Sequence, residues 1–329
     1  MNWEGSKVLV TGAGGFIGSH LVEELVRRGA KVRAFVRYNS RGTAGFLQDM
    51  DNDVRENIEI YFGDLKDPDA VRNSMEGVRT VFHLGALIGI PYSYVNPYDV
   101  IQTNVMGTLN VLTAARLLGT ERVIHTSTSE VYGSARYVPI DEAHPLQGQS
   151  PYSASKIGAD KLAESFHLSF GLPVSTVRPF NTYGPRQSMR AVIPTTIVQA
   201  LTQDYVKLGS LHPTRDFTYV LDTARGFIAA AESEASIGRA HNLGTGQEIS
   251  IGDLAKLIIK LTGRNVRLET ESSRLRPEGS EVNRLLSNNS LAKELTGWEP
   301  QVSFDEGLSE TIQWISKNLD LYQTKGYIV

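Results

Sequence analysis

Tyr152 and Lys156 are the residues of this chain whose types and spacing are best suited to proton chemistry. They lie four positions apart in a segment that should begin a helix, so both side chains project from one helix face. A free tyrosine has a pKa of about 10 and is a poor base at neutral pH, but a nearby ammonium group favours the phenolate. The pair can therefore take a proton from an alcohol. Because this spacing often arises by chance, its setting in the chain decides what it means.

The segment 125–133, shortly before this pair, supplies three more candidates. It is predicted to be an apolar strand that ends in hydroxyl groups and one carboxylate. Thr128 and Ser129 offer the hydroxyl groups, and Glu130 could exchange a proton with a bound molecule. The alternative for Glu130 is a surface carboxylate at the end of a strand.

A glycine-rich turn near the N-terminus lies between a predicted strand, 7–11, and a predicted helix, 19–28. Gly12 allows a tight turn, Gly15 lets backbone N–H groups approach a pyrophosphate, and Gly18 lets the helix pack closely against the strand. The helix N-terminus would stabilise the anion. This order predicts a dinucleotide site, and the alternative is a structural glycine turn without a ligand. The predicted contacts in this loop are Gly12, Gly15, Phe16, Ile17 and Gly18.

The segment after the second predicted strand, 31–36, bears on which dinucleotide binds. An acidic residue here would bond to the ribose diol of NAD. The chain instead has Arg37 and Arg41 with no carboxylate between them, which favours the 2′-phosphate of NADP because arginine pairs bidentately with phosphate. In the alternative, both arginines are solvated and NAD binds without the acid. The predicted contacts are Arg37, Asn39 and Ser40, with Asp64 and Leu65 placed for the adenine.

Strands alternate with helices up to residue 178, which predicts an α/β fold with a doubly wound parallel sheet of the Rossmann type. We predict that residues 1–184 form a dinucleotide-binding domain and that 217–250 return to its sheet. A smaller mixed domain for the substrate is predicted from 185–216 and 251–329.

The predicted helices 98–118 and 152–170 are the expected contact surface of a homodimer. The first of them carries apolar residues on more than one face, which indicates burial on two sides.

Composition excludes several other partners. The net charge of −3 arises from scattered charges of both signs, so nucleic acid is not an expected partner. The absence of cysteine removes disulfides, thiolate catalysis and sulfur-ligated metal sites, and no metal is predicted. Since no run approaches the ~18 apolar residues of a membrane span, we expect no membrane contact and a cytoplasmic location.

Four motifs together resemble those of the extended short-chain dehydrogenase/reductases that act on nucleotide sugars, and the resemblance covers nearly the whole chain. Thr128-Ser129-Glu130 matches the 4,6-dehydratases of the GDP-mannose type. Segments 37–41, 151–160 and 214–219 are similar to the dehydratases of legionaminic-acid synthesis, which act on a nucleotide-linked N-acetylglucosamine and are often labelled NAD-dependent. The motifs are Gly12-x-x-Gly15-x-x-Gly18, Thr126-Ser-Thr-Ser-Glu-Val-Tyr-Gly133, Tyr152-x-x-x-Lys156 and Arg178-Pro-Phe-Asn-Thr-Tyr-Gly-Pro-Arg186.

The resemblance implies a 4,6-dehydratase whose cofactor, NAD or NADP, is tightly bound and recycled. Tyr152 would remove the sugar O4 proton as hydride leaves C4, with Thr128 and Lys156 completing the hydrogen-bond set. Glu130 would then take the proton from C5, water would leave from C6, and the hydride would return to C6. Relatives with aspartate at the position of Ser129 use it as the acid, so Glu130 is expected to carry its proton to the departing oxygen.

The resemblance also places Asn181, Arg215 and Arg276 around the nucleotide. The family pairs arginine with the diphosphate at the positions of the two arginines, a task that suits a charge-assisted fork. No residue identifies the base, so GDP- and UDP-linked N-acetylglucosamine are both open as the substrate.

Three other functions stay open. A UDP-glucuronate decarboxylase has the same Thr-Ser-Glu motif, but it needs a further basic group for the carboxylate of its substrate, and none is assigned. A nucleotide-sugar 4-epimerase usually has a small residue where this chain has Glu130. A non-catalytic dinucleotide sensor would not need Thr128, Tyr152 and Lys156 together.

Overall fold

The computed structural model describes residues 2–275 and 277–322. Its strands carry many of the β-branched and aliphatic runs of the sequence, which suit a pleated and buried surface. In chain order they are β1 (Lys7–Thr11), β2 (Lys31–Arg37), β3 (Ile58–Gly63), β4 (Thr80–His83), β5 (Arg122–Thr126), β6 (Val174–Pro179), β7 (Asn181–Tyr183), β8 (Tyr205–Leu208), β9 (Thr214–Arg215), β10 (Phe217–Tyr219), β11 (Ala240–Leu243), β12 (Ile249–Ser250), β13 (Arg267–Thr270) and β14 (Arg284–Leu285).

Helices occupy most of the connections between these strands. A π-helical turn, Gln102–Met106, joins two of them, so the predicted helix 98–118 is continuous but contains one wide turn. The helices are α1 (Phe16–Arg27), α2 (Asn52–Arg55), α3 (Pro68–Ser74), α4 (Ile90–Val95), α5 (Pro97–Ile101), α6 (Gly107–Leu118), α7 (Pro151–Phe170), α8 (Val192–Thr202), α9 (Val220–Glu232), α10 (Ile251–Leu261), α11 (Ser290–Thr296) and α12 (Phe304–Lys317).

The central sheet of the described chain has seven strands in the order β3-β2-β1-β4-β5-β6-β11. Every neighbouring pair in it is parallel. This order confirms the predicted doubly wound sheet. The chain adds β2 and β3 on one side of β1 and then crosses over to add β4 on its other side. Ligands bind beyond the carboxyl ends of the strands at such a switch point.

Helices cover both faces of the sheet. On one face α1 and α9 bury side chains such as Leu25 and Phe227, and on the other α3, α6 and α7 bury Met75, Leu112 and Phe166. Burying one such side chain contributes about 1.5–3 kcal/mol. The sheet is thus a rigid base for the residues at its carboxyl edge.

The C-terminal elements form smaller sheets beside this edge. β10 pairs with β7, β9 lies between β12 and β14, and β8 pairs with β13. Helices α8, α10 and α12 share a core with these strands that includes Ile197, Leu254 and Leu308. Among the helices of the described residues, none is long and apolar enough to span a membrane.

Candidate active site

The turn after β1 requires glycine at the positions predicted for a dinucleotide site. Gly12 has φ +70°, and a Cβ atom there would lie 2.9 Å from the Cα atom of Gly85. A Cβ atom on Gly18 would collide with the carbonyl oxygen of Gly12. No side chain in the described chain caps the N-terminus of α1 at Gly15, so its N–H groups are available to an anion. Side chains at the glycine positions would fill the space beside these N–H groups. The glycine turn therefore fits the pyrophosphate of a dinucleotide.

A second glycine contact at this turn escaped the sequence reasoning. The backbone N–H of Phe46 donates to the carbonyl of Gly14 at 3.2 Å. Gly45 has φ +62°, and a Cβ atom on it would collide with the same carbonyl. We name residues 37–50 the strap, because this segment, which begins with the last residue of β2, lies directly against the glycine turn. The close approach joins residues that are distant in sequence, so no local spacing indicated it.

The predicted contacts of the strap differ in their surroundings. Arg37, the last residue of β2, is exposed, and so is Ser40. The Asn39 carboxamide donates to the carbonyl of Thr43 at 2.8 Å and its oxygen accepts from the Thr43 N–H at 3.2 Å. Asn39 thus shapes the strap itself. The pKa of Asp99 is lowered by the hydrogen bond from Lys66 first and in smaller part by the charge of Arg37.

Asp64 and Leu65 follow β3 at the same edge of the sheet. The Asp64 carboxylate accepts from the backbone N–H of Lys66 at 2.9 Å. Leu65 is buried, and its side chain packs against Gly85 in the loop after β4 and against Gly107 at the start of α6. Both predicted contacts therefore lie beside the glycine turn.

His83 bridges two hydroxyl groups under the loop that leaves β4. Its Nδ1 atom lies 2.8 Å from Oγ1 of Thr11, and its Nε2 atom lies 3.0 Å from Oγ1 of Thr108. The Thr108 hydroxyl donates to the carbonyl of Asn104 at 2.6 Å, so it accepts from Nε2–H and leaves Nδ1 as an acceptor. Burial holds the pKa of His83 well below its usual value. The ring is therefore neutral and packed between the two hydroxyl groups.

Asn104, in the π-helical turn, is a positioning residue that the sequence did not reveal. Its carboxamide accepts from the N–H of Leu87 at 2.8 Å and donates to the Leu87 carbonyl at 2.9 Å. It also donates to the Ser155 hydroxyl at 2.9 Å. One buried side chain thus fastens the loop after β4 to helix α7.

Thr128, Ser129 and Glu130 leave β5 in a short 3₁₀ turn, Ser129–Tyr132. The Thr128 hydroxyl accepts from the backbone N–H of Glu130 at 3.2 Å. It also lies close enough to Tyr152 to lower the pKa of the phenol. Ser129 is 3% exposed, whereas Glu130 is partly exposed. The structure brings Thr128, Glu130 and Tyr152 together and places Ser129 in the wall beside them.

Tyr152 and Lys156 lie in the first two turns of α7, which the Ser150 side chain caps. Burial raises the pKa of Tyr152 well above its usual value, and the hydrogen bond from Thr128 opposes this rise while the Glu130 carboxylate adds to it. Lys156 donates to the carbonyl of Thr126 at 2.6 Å. Burial lowers the pKa of Lys156 to about 8, although the Asp160 carboxylate opposes the change. A further positive charge at this edge would favour the phenolate.

Two of the residues predicted for the nucleotide lie in the short strands β7 and β9. The side-chain oxygen of Asn181 is buried and has no hydrogen-bond partner among the described residues. Arg215, which is 6% exposed, donates to the carbonyl of Thr214 at 2.8 Å and lies 3.8 Å from a carboxylate oxygen of Glu281. Arg276 lies outside the described residues.

Asp216, next to Arg215, joins the small sheets to the central one. Its fully buried carboxylate accepts from the N–H groups of Thr245 at 2.8 Å, Gly246 at 2.9 Å and Ser287 at 3.1 Å. Its carbonyl accepts from the N–H of Asn181 at 3.1 Å. The sequence motif around Arg215 contained this residue, but the backbone donors that it binds are distant in the chain.

Arg190 is a basic residue that the sequence reasoning did not assign. Its guanidinium Nη1 atom lies 4.0 Å from the point that a Cβ atom on Gly89 would occupy. Gly89 belongs to the loop after β4, so Arg190 lies close to the crevice beyond the switch point.

Comparison with known proteins places this geometry in a family. A family model described as GDP-mannose 4,6 dehydratase matches residues 9–311. The chain is 34% identical over 319 residues to the UDP-N-acetyl-alpha-D-glucosaminuronate decarboxylase of Bacillus cytotoxicus, which covers 94% of this chain and 97% of the relative. It is 31% identical over 323 residues to the UDP-glucuronate 4-epimerase of Thermodesulfobacterium geofontis, covering 96% of this chain and 98% of the relative.

A solved structure shows the same fold. The dTDP-glucose 4,6-dehydratase of Streptomyces venezuelae, solved with NAD bound, superposes with a TM-score of 0.87 at 29% identity, covering 96% of this chain and 99% of that one. The chain spans 47% of the length of two trifunctional Arabidopsis thaliana relatives that it also matches. The chain therefore belongs to the GDP-mannose 4,6 dehydratase family of the extended short-chain dehydrogenase/reductases, NAD-dependent enzymes that include nucleotide-sugar dehydratases, epimerases and decarboxylases.

Proposed function

We propose that the protein is a nucleotide-sugar 4,6-dehydratase that converts GDP- or UDP-linked N-acetylglucosamine to its 4-keto-6-deoxy product. The observation that carries the proposal is the grouping of Thr128, Glu130 and Tyr152. The 3₁₀ turn that carries Glu130 packs against α7, which carries Tyr152, and the Thr128 hydroxyl accepts from the Glu130 N–H at 3.2 Å. A base for O4 and a second base for C5 are what a dehydratase needs at one sugar.

In this proposal each residue has a separate task. Tyr152 takes the O4 proton, Thr128 holds the phenol in place, and the Lys156 ammonium stabilises the phenolate. Glu130 takes the C5 proton and passes it to the oxygen that leaves C6 as water. C5 takes up a proton again as the product forms, and this proton balances the one that Tyr152 removed from O4. Ser129 offers the leaving oxygen a hydroxyl group, which is too weak an acid to replace Glu130.

The glycine turn fits a dinucleotide, and the chemistry that the dinucleotide supplies when bound is the acceptance and return of a hydride. We propose that Arg37 binds a 2′-phosphate and that NADP is preferred to NAD. Support comes from its exposed position at the end of β2 and from the lack of a carboxylate in 37–43. The solved relative was determined with NAD bound, which argues against a preference for NADP.

We propose that the nucleotide binds between the central sheet and the part formed by 185–216 and the residues from 251 onward. Asn181 supports this because its buried oxygen lacks a protein partner in the described chain. Arg215 supports it because its guanidinium is buried at the crevice, where a diphosphate would be held by charge-assisted hydrogen bonds. Arg276 keeps its proposed role by resemblance alone.

A specific observation favours a second candidate, a decarboxylase or epimerase of a nucleotide-linked uronic acid. Such a substrate carries a carboxylate at C6, and a guanidinium group is the natural partner for it. Arg190 lies beside Gly89 at the crevice. The dehydratase is preferred because segments 37–41, 151–160 and 214–219 resemble dehydratases.

A substrate panel distinguishes these functions. The protein is incubated with UDP-, GDP-, CDP- and dTDP-linked sugars, including N-acetylglucosamine and glucuronate forms. The products are separated by chromatography, which resolves epimers, and are followed by mass spectrometry. Loss of one water from an N-acetylglucosamine nucleotide is the expected result. Loss of carbon dioxide, or an epimer of unchanged mass, would replace the dehydratase with the second candidate. No turnover of any sugar would favour the sensor.

A further inference from the structure

Asp160 lies one helical turn beyond Lys156 on the same face of α7. Positions 152, 156 and 160 follow each other at intervals of four, which aligns their side chains along the helix. Asp160 is 4% exposed, and Lys156 is equally buried at 4%. Two ionisable side chains are thus buried behind the phenol. Asp160 is not among the acids and bases proposed above for the reaction.

The hydrogen bonds of Asp160 require its ionised form. One oxygen accepts from Nε2 of His125 at 3.1 Å. The other accepts from the Ser127 hydroxyl at 2.8 Å and from two nitrogens of Arg178 at 3.2 and 3.1 Å. Burial alone would raise the pKa of Asp160, but the bond from His125 and the charge of Arg178 hold it below its usual value. The group is therefore a carboxylate at neutral pH.

Asp160 is the carboxylate that acts on the pKa of Lys156, whereas the Glu130 carboxylate, in the turn beside α7, acts on that of Tyr152. His83 on β4 and His125 on β5 are neutral, because burial lowers the pKa of each ring. Arg178 on β6 is a cation, and the Tyr152 phenol is neutral until it loses its proton. The ionisable groups on the other helices that pack along α7 have their own contacts: Asp99 of α5 bonds to Lys66, and Arg116 of α6 stacks on Phe170.

We propose that Asp160 is a positioning residue for the Tyr152–Lys156 couple, because its buried carboxylate holds Lys156 in the ammonium form that stabilises the phenolate. The inference rests on the proposed roles of Tyr152 and Lys156 and deepens them. Burial lowers the pKa of Lys156 to about 8, and the Asp160 charge acts in the opposite direction. Asp160 follows Tyr152 and Lys156 at the same interval of four residues. A phenol, an ammonium group and a carboxylate therefore lie in this order along one face of α7.

The first test is the pH profile of the oxidation step. The single-turnover reduction of bound cofactor by nucleotide sugar is followed by absorbance from pH 6 to 10 in wild type and in Asp160→Asn. In the variant Lys156 loses its proton at lower pH, so the alkaline limb should shift down by about one pH unit. The affinity for the nucleotide sugar should not change, since Asp160 is buried and its carboxylate is engaged by side chains of the protein. This step is shared by dehydratases, epimerases and decarboxylases, so a wrong reaction type would not affect the outcome.

The second test needs no substrate. An unfolded lysine has a pKa of 10.5 and folded Lys156 has one of about 8, so between these values the unfolded chain binds more protons and stability rises with pH. In Asp160→Asn the pH range over which stability rises should begin at lower pH. A plot of the difference in Tm, variant minus wild type, should therefore rise between pH 7 and 8. This measurement stays informative if no sugar is turned over.

Two further variants control for structure. Ser127→Ala removes one hydrogen bond to Asp160 and keeps its charge, so both curves should match wild type. Because Asp160→Asn leaves Arg178 buried without its carboxylate, the double variant Asp160→Asn/Arg178→Gln replaces it if the single variant does not fold. Its shifts should have the same direction but be smaller, since the loss of the Arg178 cation opposes them. Unchanged profiles in a folded Asp160 variant, or an equal shift in Ser127→Ala, would overturn the proposal.

Discussion

Burial opposes the charge of both members of the Tyr152–Lys156 couple. It raises the pKa of the phenol and lowers that of the ammonium to about 8. The charged form of each side chain is therefore disfavoured by itself. The phenolate forms when positive charges nearby balance its negative charge. Thr128 adds direction, because its hydroxyl lies close enough to lower the pKa of the phenol.

The role of Glu130 can be separated from that of Tyr152 by one substitution. In Glu130→Gln, bound cofactor should still be reduced by the sugar, while release of water should fall by about 10²- to 10⁴-fold, the usual contribution of a general base. Rapid mixing measures the first step and mass spectrometry the second. Glu121→Gln, at an exposed ion pair with Arg79 at the far end of β5, is the control. Unchanged dehydration would remove Glu130 from the mechanism.

Arg37 is expected to decide the choice between NADP and NAD. In Arg37→Ala the Kd for NADP should rise about tenfold or more, since a hydrogen bond to a charged group contributes about 1.5–3 kcal/mol. The Kd for NAD should hardly change. Arg41→Ala, which removes a second exposed arginine of the strap, serves as the comparison. Recovery of NAD alone from denatured protein would contradict the proposed preference.

At the scale of elements, the strap and the glycine turn form one unit. Gly14 and Gly45 approach so closely that neither can carry a side chain without movement. The ring of Phe46 in the strap packs edge-on against Trp314 of α12, with ring centroids 6.4 Å apart. The strap thus links the predicted pyrophosphate site to the C-terminal part of the molecule.

Gly45→Ala should loosen the hold on the dinucleotide. The new methyl group collides with the Gly14 carbonyl, so the strap must move away from the turn. Retention of cofactor after gel filtration, measured by absorbance, should fall several-fold. Gly42→Ala is a matched control, because Gly42 also has φ +62° but its Cβ position is open. Equal loss in both variants would assign the effect to backbone strain, which costs about 1–2 kcal/mol at such a position.

Local spacing explains which elements and site residues could be predicted. The period of the apolar residues indicated the alternating strands and helices, and Gly12, Gly18 and the Tyr152–Lys156 couple are defined by neighbours within a few residues. The contacts of Gly14 with Gly45 and of Asp160 with Arg178 join distant segments. These contacts depend on how the strands are ordered in the sheet, which one sequence does not specify.

At the scale of the whole molecule, one strip of apolar side chains stays exposed. It runs along α5, α6 and α7, where Tyr98 is 74%, Leu117 63% and Leu168 75% exposed. Helices α5 and α6 both contact α7, and exposed apolar side chains gathered on neighbouring helices are typical of an interface. We propose that it is the homodimer contact expected from the sequence, and a stable contact would bury about 1,600 Å² in total.

Charges placed on this strip should give monomers. In Tyr98→Glu/Leu168→Glu both substituted side chains are largely exposed in one chain, so folding should be unaffected while association is lost. Analytical ultracentrifugation measures the mass, and circular dichroism checks the fold. Leu261→Glu, at the end of α10, should remain dimeric. A wild-type protein that is monomeric at all concentrations would refute the homodimer.

The π-helical turn between α5 and α6 amounts to one extra residue in an otherwise regular helix. One residue rotates a helix by about 100°, so the turn sets the phase between the surface before it and the surface after it. Lengthening 102–106 by one further residue would rotate Tyr98 about the axis relative to α6 and draw Asn104 away from Leu87 and Ser155. The exposed apolar strip and the Asn104 contacts with the loop after β4 thus depend on the same wide turn. This stretch should therefore tolerate substitution better than a change of length.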